Sequence, residues 1–201
     1  MMKIKCGGLI LAAGTSSRWR AHMAPHAQDS KMLALYQGEP ILRHVVRAAL
    51  GAQLAPLCVV TGFEAQKVEA ALAGLNVHCI FNPAYQQGMA SSLQAGMAGM
   101  ADIDALCVLL GDMPLISSAL ITELCDAFAH QSCDGLVPFY QGQRGNPVIL
   151  GRAIIDRISS LRGDQGARAL LKSHGHIIEY SVHDAAVIRD VDEPSALNDL
   201  Q

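Results

Sequence analysis

The chain has 201 residues, 51% of them hydrophobic, enough for one large core in an α/β layout that often stays a single domain at this length. Aromatics are only 4%, and a net charge of −3 lacks the clustered Lys and Arg that a nucleic-acid backbone needs, which argues against such a partner. The N-terminal apolar run is broken by Gly7 and Gly8 and leads into an Arg-bearing turn, so it reads as a core strand rather than a signal or membrane segment. A cytoplasmic protein with no membrane partner is expected. Strand patterns fall at residues 7 to 13, 57 to 62, 77 to 81, 105 to 112, 135 to 139, 147 to 150, 176 to 181 and 186 to 192. Between them, helix-period stretches cover 40 to 52, opened by Pro40, and 65 to 74, stopped by Gly74. Further helices are expected over 89 to 100, 117 to 130, 152 to 160, 165 to 174 and 194 to 201, with long loops at 19 to 30 and 140 to 146. Early strands that are near-continuously apolar, without alternation, belong to a parallel sheet covered on both faces. The expected fold is a single-domain α/β protein with a mostly parallel, doubly wound, Rossmann-like sheet.

The six cysteines are scattered without a C-x-x-C pair, and they read as buried free thiols rather than a zinc site or disulfide framework. His22 and His26, four apart in a Pro-containing loop, read as solvated, and so do His174 and His176.

In open sheets of this class ligands sit beyond the carboxyl ends of the strands. The first such end is "LAAGTSSR", where Ala12, Ala13, Gly14 and Thr15 carry so little bulk that backbone N–H groups can close on an anion, with Arg18 as a fixed charge. Neither G-x-G-x-x-G nor the P-loop pattern is present. At "LLGDMPLIS", Asp112 follows a buried strand, where a carboxylate can hold Mg²⁺ whose other ligands are phosphate oxygens, and Ser117 or Ser118 caps the next helix. In "IRDVDEPSAL", Asp190 and Asp192 alternate along an expected strand and so point to opposite faces, which lets at most one, with a lean to Asp192, share a cation with Asp112. Each of these ends also has a plain reading as a capped turn.

Together with the lysine of "SKMLALYQGEPIL", "GMASSLQAG", "GNPVIL" and "GDQGARALL", these motifs occur in the order seen in MobA-like nucleotidyltransferases. Nearly the whole chain resembles that family, most closely its molybdenum cofactor cytidylyltransferases. The resemblance implies transfer of CMP from CTP to the phosphate of a molybdopterin acceptor with release of pyrophosphate, dependent on Mg²⁺. It implies a nucleotide-binding half over about 1 to 115 and an acceptor-binding half over about 116 to 201. Arg18, Lys31 and Asp112 take the catalytic roles, and Leu11 to Thr15, Gly88, Ser91 and Ser92 bind nucleotide. Arg144, Gly145, Asn146 and Arg168 line the acceptor site, and Asp112 with Asp192 or Asp190 holds the metal. For Asp164 a plain role as N-cap of the following helix competes. One departure stands out: the family's Met-Gly after the loop arginine is replaced by Trp19 and Arg20, and Lys31 lies thirteen positions after Arg18. Two alternatives stay open: a transferase using GTP or another acceptor, and a non-catalytic chaperone delivering cofactor to a molybdoenzyme client.

Overall fold

The computed structural model describes residues 4–22, 29–173 and 175–198. An eight-stranded sheet runs through it, built from β1 (Cys6–Ala12), β4 (Leu57–Thr61), β5 (His78–Phe81), β6 (Ala105–Leu110), β7 (Gly135–Tyr140), β8 (Gln143–Arg144), β9 (Val148–Gly151) and β10 (Ile177–Ser181). A two-stranded hairpin, β2 (Leu35–Tyr36) and β3 (Glu39–Pro40), stands apart from it. The order in the main sheet is β10-β7-β9-β6-β1-β4-β5, with β8 paired to β7. The pairs β5–β4, β4–β1, β1–β6 and β7–β10 are parallel, whereas β9 runs antiparallel between β6 and β7. This is the expected single-domain, mostly parallel α/β fold.

Successive side chains of a strand serve opposite faces. On β1, Ile10 and Ala12 pack into the core layer that holds Leu42, Val45 and Ala49 of α2 (Ile41–Gly51) and Ile121 and Leu124 of α5 (Ser118–His130). Leu9 packs into the opposite layer, with Leu93 of α4 (Met89–Met97), Ile154 of α6 (Arg152–Ile155) and Leu170 of α7 (Ala167–Ser173). Both faces are covered, which is why the strands read as unbroken apolar runs. Ser117 caps α5 as anticipated, its Oγ accepting the Leu120 N–H at 3.1 Å. The remaining helices are short: α1 (Ser17–Ala21), α3 (Ala65–Ala70) and α8 (Pro194–Asn198). No helix among the described residues is long and apolar enough to cross a membrane.

Four expectations need correction. Residues 186 to 192 form no strand: Ala185–Ile188 is a 3-10 turn, started by the Asp184 carboxylate accepting the Ala186 N–H at 2.9 Å, and the chain then runs irregularly. Residues 140 to 146 are no long loop but a tight hairpin, in which Gln141 and Gly142 both take positive φ and return the chain as β8. The helix expected over 65 to 74 ends at Ala70, and Gly74 takes its positive φ in the turns beyond. The helix expected over 152 to 160 breaks after Ile155 and resumes as the 3-10 turn Ile158–Ser160. Cys58 and Cys107 are buried free thiols, while the other four cysteines are only half-buried.

Candidate functional site

Beyond the end of β1 the chain passes Ala13, Gly14 and Thr15 and turns into α1 at Ser16, which takes a left-handed conformation. Two contacts hold this loop. Arg20 donates from Nε to the Thr15 carbonyl at 3.1 Å and lays its guanidinium over the Phe63 ring, 4.6 Å from the centroid. Trp19 is buried against Tyr36, Ile41 and Val191. The substitution that breaks the family pattern is therefore a packing residue of the loop.

Lys31 returns to the site despite the long insertion. Its backbone N–H donates to Ser16 Oγ at 3.2 Å, and the preceding Ser30 donates its N–H to Glu64 Oε2 at 2.7 Å and caps the 3-10 turn Lys31–Leu33. Thus pinned, Lys31 places Nζ 2.5 Å from Asp112 Oδ2 and 2.7 Å from Asp192 Oδ1. Arg18 reaches the other oxygen of Asp192 at 2.5 Å. Burial works against the Lys31 charge, but Asp112 and then Asp192 outweigh it and hold the ammonium above its ordinary value. Burial likewise opposes ionisation of Asp192, yet Lys31 and Arg18 keep its carboxyl below the ordinary range.

Asp112 arrives from the end of β6, where the Gly111 N–H donates to the Leu11 carbonyl at 3.0 Å and so sets the residue beside the first loop. Asp190 and Asp192 were expected on opposite faces of a strand. With no strand there, both line the same cleft, Asp190 from an exposed position, and Asp112, Asp190 and Asp192 each offer an oxygen within 4.8 Å of the others. Desolvation, then the Asp112 and Asp192 charges, push the Asp190 carboxyl upward. Asp112 Oδ1 is buried and has no hydrogen-bond partner. An orphaned buried oxygen in an all-carboxylate set suits a hard divalent cation such as Mg²⁺ or Mn²⁺, whose remaining ligands would be water and phosphate.

These groups line one wall of a cleft of about 440 Å³. The rest of the lining includes Ala13, Gly14 and Thr15 of the first loop and Tyr85, Gln86, Gly88, Met89 and Ser92. Gly88 has φ +101, and a Cβ there would lie 2.4 Å from the Gly163 carbonyl carbon, so only glycine lets the 162 to 166 loop dock on the start of α4. Ser91 does not line the cleft: its hydroxyl contacts the Ala84 and Gly88 carbonyls and accepts from Asn82 Nδ2 at 2.9 Å. Ala12 is likewise buried in the sheet, outside the lining. Asn82, which the sequence reading passed over, also donates to Ser92 Oγ and accepts the Ala84 N–H, and so fixes the whole turn.

A second cavity of about 280 Å³ adjoins the first and shares Leu11, Met89, Leu110 and Asp164 with it. Arg144, Gly145, Asn146 and Arg168 all line it. Gly145 is packed so tightly on Val187 that a Cβ would sit 2.5 Å from its carbonyl oxygen, and the Asn146 N–H donates to that same carbonyl at 2.8 Å. Burial and then the Arg168 guanidinium lower the Arg144 pKa, and Arg144 Nη2 is buried without a partner. Two mutually repelling guanidinium groups, one of them incompletely satisfied and only partly offset by the Glu179 charge, give this cavity chemistry that suits an anion. Asp164 caps no helix: among the described residues its carboxylate forms no hydrogen bond or ion pair, and it stands between the two cavities. Tyr85, Gln86, Met89 and Asp164 as lining groups were missed by the sequence reading; only Met89 and Asp164, each within a quoted motif, left a signal. His22 is exposed and bonds through Nδ1 to the Arg18 carbonyl, His176 similarly to that of Ser132, and His26 and His174 lie outside the described residues.

Residues 8–178 match the MobA-like NTP transferase domain. Among curated proteins, the bifunctional protein GlmU of Agrobacterium fabrum is 31% identical over 150 residues, which are 74% of this chain and 31% of GlmU. The chain thus spans about a third of the length of such relatives. Among solved structures, Rv0371c of Mycobacterium tuberculosis H37Rv superposes with a TM-score of 0.83 at 24% identity, covering 99% of this chain and 98% of that one. The same mycobacterial protein in complex with manganese gives a TM-score of 0.77 at 24% identity over 98% and 97% of the two chains. Molybdopterin-guanine dinucleotide biosynthesis protein A of Archaeoglobus fulgidus gives 0.68 at 15% identity over 96% and 95%.

Proposed function

The chain belongs to the MobA-like NTP transferase domain family, and from that membership we propose that it transfers CMP from CTP to the phosphate of a molybdopterin-type acceptor. The observation that carries the proposal is the pair of adjoining cavities, one with cationic groups and clustered carboxylates, the other with an unsatisfied arginine, separated only by Leu11, Met89, Leu110 and Asp164. A nucleotide in the first and an anionic acceptor in the second would meet at that boundary. On this reading the nucleotide side draws mainly on residues 1 to 115 and the acceptor side mainly on 116 to 201, with Leu11, Met89, Val108 and Leu110 reaching into the second cavity and Asp164, Asp190 and Asp192 into the first.

The reaction is an in-line displacement. An oxygen of the acceptor phosphate bonds to the α-phosphorus of CTP, the bond from that phosphorus to the bridging oxygen breaks, and pyrophosphate leaves with the bond's electron pair. Such a step asks the protein to position anions and neutralise charge rather than to supply a nucleophile. Backbone N–H groups from Ala13 to Thr15 would cradle the triphosphate, with Arg18 and Lys31 drawn onto the departing pyrophosphate. Asp112, Asp190 and Asp192 would hold Mg²⁺, which when bound withdraws charge from the phosphate oxygens. Arg144 and Arg168 would orient the acceptor by its anionic groups, and Asn146 would supply an amide donor and acceptor to its ring system. The base and ribose fall to Tyr85, Gln86, Gly88 and Ser92. We place the enzyme in the cytoplasm, with a molybdoenzyme as recipient of its product.

The test is pyrophosphate release from CTP and from GTP, each with Mg²⁺, with and without molybdopterin. Release from CTP that requires the acceptor supports the proposal, and preference for GTP moves the enzyme to the other branch of the family. Nucleotide binding with no release from either nucleotide points to the chaperone reading.

A further inference from the structure

We propose that Lys31 is the resident counter-ion of the carboxylate cluster, its ammonium occupying the position a divalent ion would take, so that ion and lysine compete for the same oxygens of Asp112 and Asp192. The inference rests on reading those carboxylates as metal ligands.

The geometry is that of a bridging cation. Nζ lies 2.5 Å from Asp112 Oδ2 and 2.7 Å from Asp192 Oδ1, and both carboxylates belong, with Asp190, to a group in which one oxygen of each lies within 4.8 Å of the others. The lysine and Asp112 side chains are only 12% and 13% exposed, so water screens this pair weakly. A dication entering beside an ammonium in such a place meets strong repulsion, and one of the two must leave. Arg18 is not the plug: its side chain is 73% exposed and reaches Asp192 from the solvent side.

The lysine is also built to swing. Its backbone is fixed at Ser16 Oγ and, through Ser30, at Glu64, so displacement moves only the flexible four-carbon side chain. The same side chain lines the cleft in which the triphosphate is placed, giving the ammonium an anion to turn to when the carboxylates are taken. Asp112 Oδ1, buried and unpartnered, would meet an arriving ion first, before the lysine gives up Oδ2 of the same carboxylate. Metal and polyphosphate would then load cooperatively, the one releasing the lysine that the other receives.

Direct binding of Mn²⁺ to the full chain, read from the electron paramagnetic resonance signal of the free ion, tests this without turnover. Lys31→Met is expected to bind Mn²⁺ at least tenfold more tightly than the unsubstituted protein, while Lys31→Arg, which keeps a cation there, binds no more tightly than wild type. If Lys31→Met binds equally or more weakly, the competition is refuted while the metal reading survives. If neither protein binds Mn²⁺, both fail. A measurement on the unsubstituted protein stands even if the methionine variant does not fold: acetylation of Lys31 by a water-soluble ester, followed by mass spectrometry with Lys172 as internal reference. Mn²⁺ is expected to speed it several-fold, and an unchanged or slower rate overturns the proposal.

Discussion

The backbone N–H of Val191 donates to the carbonyl of Asp112 at 2.9 Å, tying the segment after β10 to the end of β6. Asp190 and Asp192 flank that bond, and Val191 itself is fully buried against Trp19, so one residue positions both carboxylates and joins them to the first loop. Val191→Ala removes part of this packing at a cost of about 1–2 kcal/mol. The melting temperature should fall modestly, but Mn²⁺ affinity should fall several-fold as the flanking carboxylates lose their placement. A variant that melts early and binds Mn²⁺ normally would show that Val191 only fills space.

Asp112→Asn keeps the shape of the side chain and removes its charge. Among the described residues Lys31 then keeps an ion pair with Asp192 alone, and the cluster loses the carboxylate that carries the orphaned oxygen. Metal-dependent pyrophosphate release should drop by roughly a hundredfold or more, the scale lost when a charge-stabilising group at a reacting phosphate is removed. Circular dichroism should be unchanged, which separates this outcome from unfolding. Retention of half the original rate would remove Asp112 from the chemistry.

Arg144→Ala bears on the other cavity. A charge-assisted hydrogen bond contributes about 1.5–3 kcal/mol, so deletion of a guanidinium that meets the acceptor's anion should raise the acceptor KM by roughly tenfold to a hundredfold. Nucleotide affinity should stay level, because Arg144 lines only the second cavity. Arg168→Ala should act in the same direction more weakly, since that side chain is exposed. A loss of nucleotide binding in either variant would contradict the division of the site.

What the sequence disclosed follows from how local each signal is. The buried runs of β1, β4 and β6 were legible because strands covered on both faces admit few polar residues, and the loop and Asp112 were legible because their position after such runs is fixed by the fold. Residues 186 to 192 look strand-like, yet the Asp184 side chain starts a 3-10 turn there and Val191 bonds to Asp112 rather than to a neighbouring strand. Their alternation therefore carried no information about facing, and the convergence of Asp190 with Asp192 could not be read. Ser91 and Ser92 are adjacent and chemically alike, but one lies outside the cleft lining and the other within it, a difference set by the buried Asn82 amide nine and ten positions upstream. The return of Lys31 after thirteen residues depends on Ser16, Ser30 and Glu64, whose pairing is invisible in a linear pattern.

Gly88→Ala tests whether the two cavities are mechanically joined. At φ +101 an alanine is strained, and its Cβ would press on the Gly163 carbonyl carbon at 2.4 Å and on Asp164 Oδ1 at 2.5 Å. Positive-φ strain of this kind costs of order 1–3 kcal/mol, and here the 162 to 166 loop can relieve the clash by moving away. That loop is held to α4 by the Ala90 N–H donating to the Gly163 carbonyl at 3.0 Å, a bond the displacement would stretch. Asp164 lines both cavities and Arg168 sits in the first turn of the helix that follows, so withdrawal of the loop should open the boundary between nucleotide and acceptor. The expected signature is a lower melting temperature together with a fall in kcat for transfer that exceeds the change in nucleotide affinity. Equal losses of kcat and nucleotide binding would mean that Gly88 serves the nucleotide cleft alone.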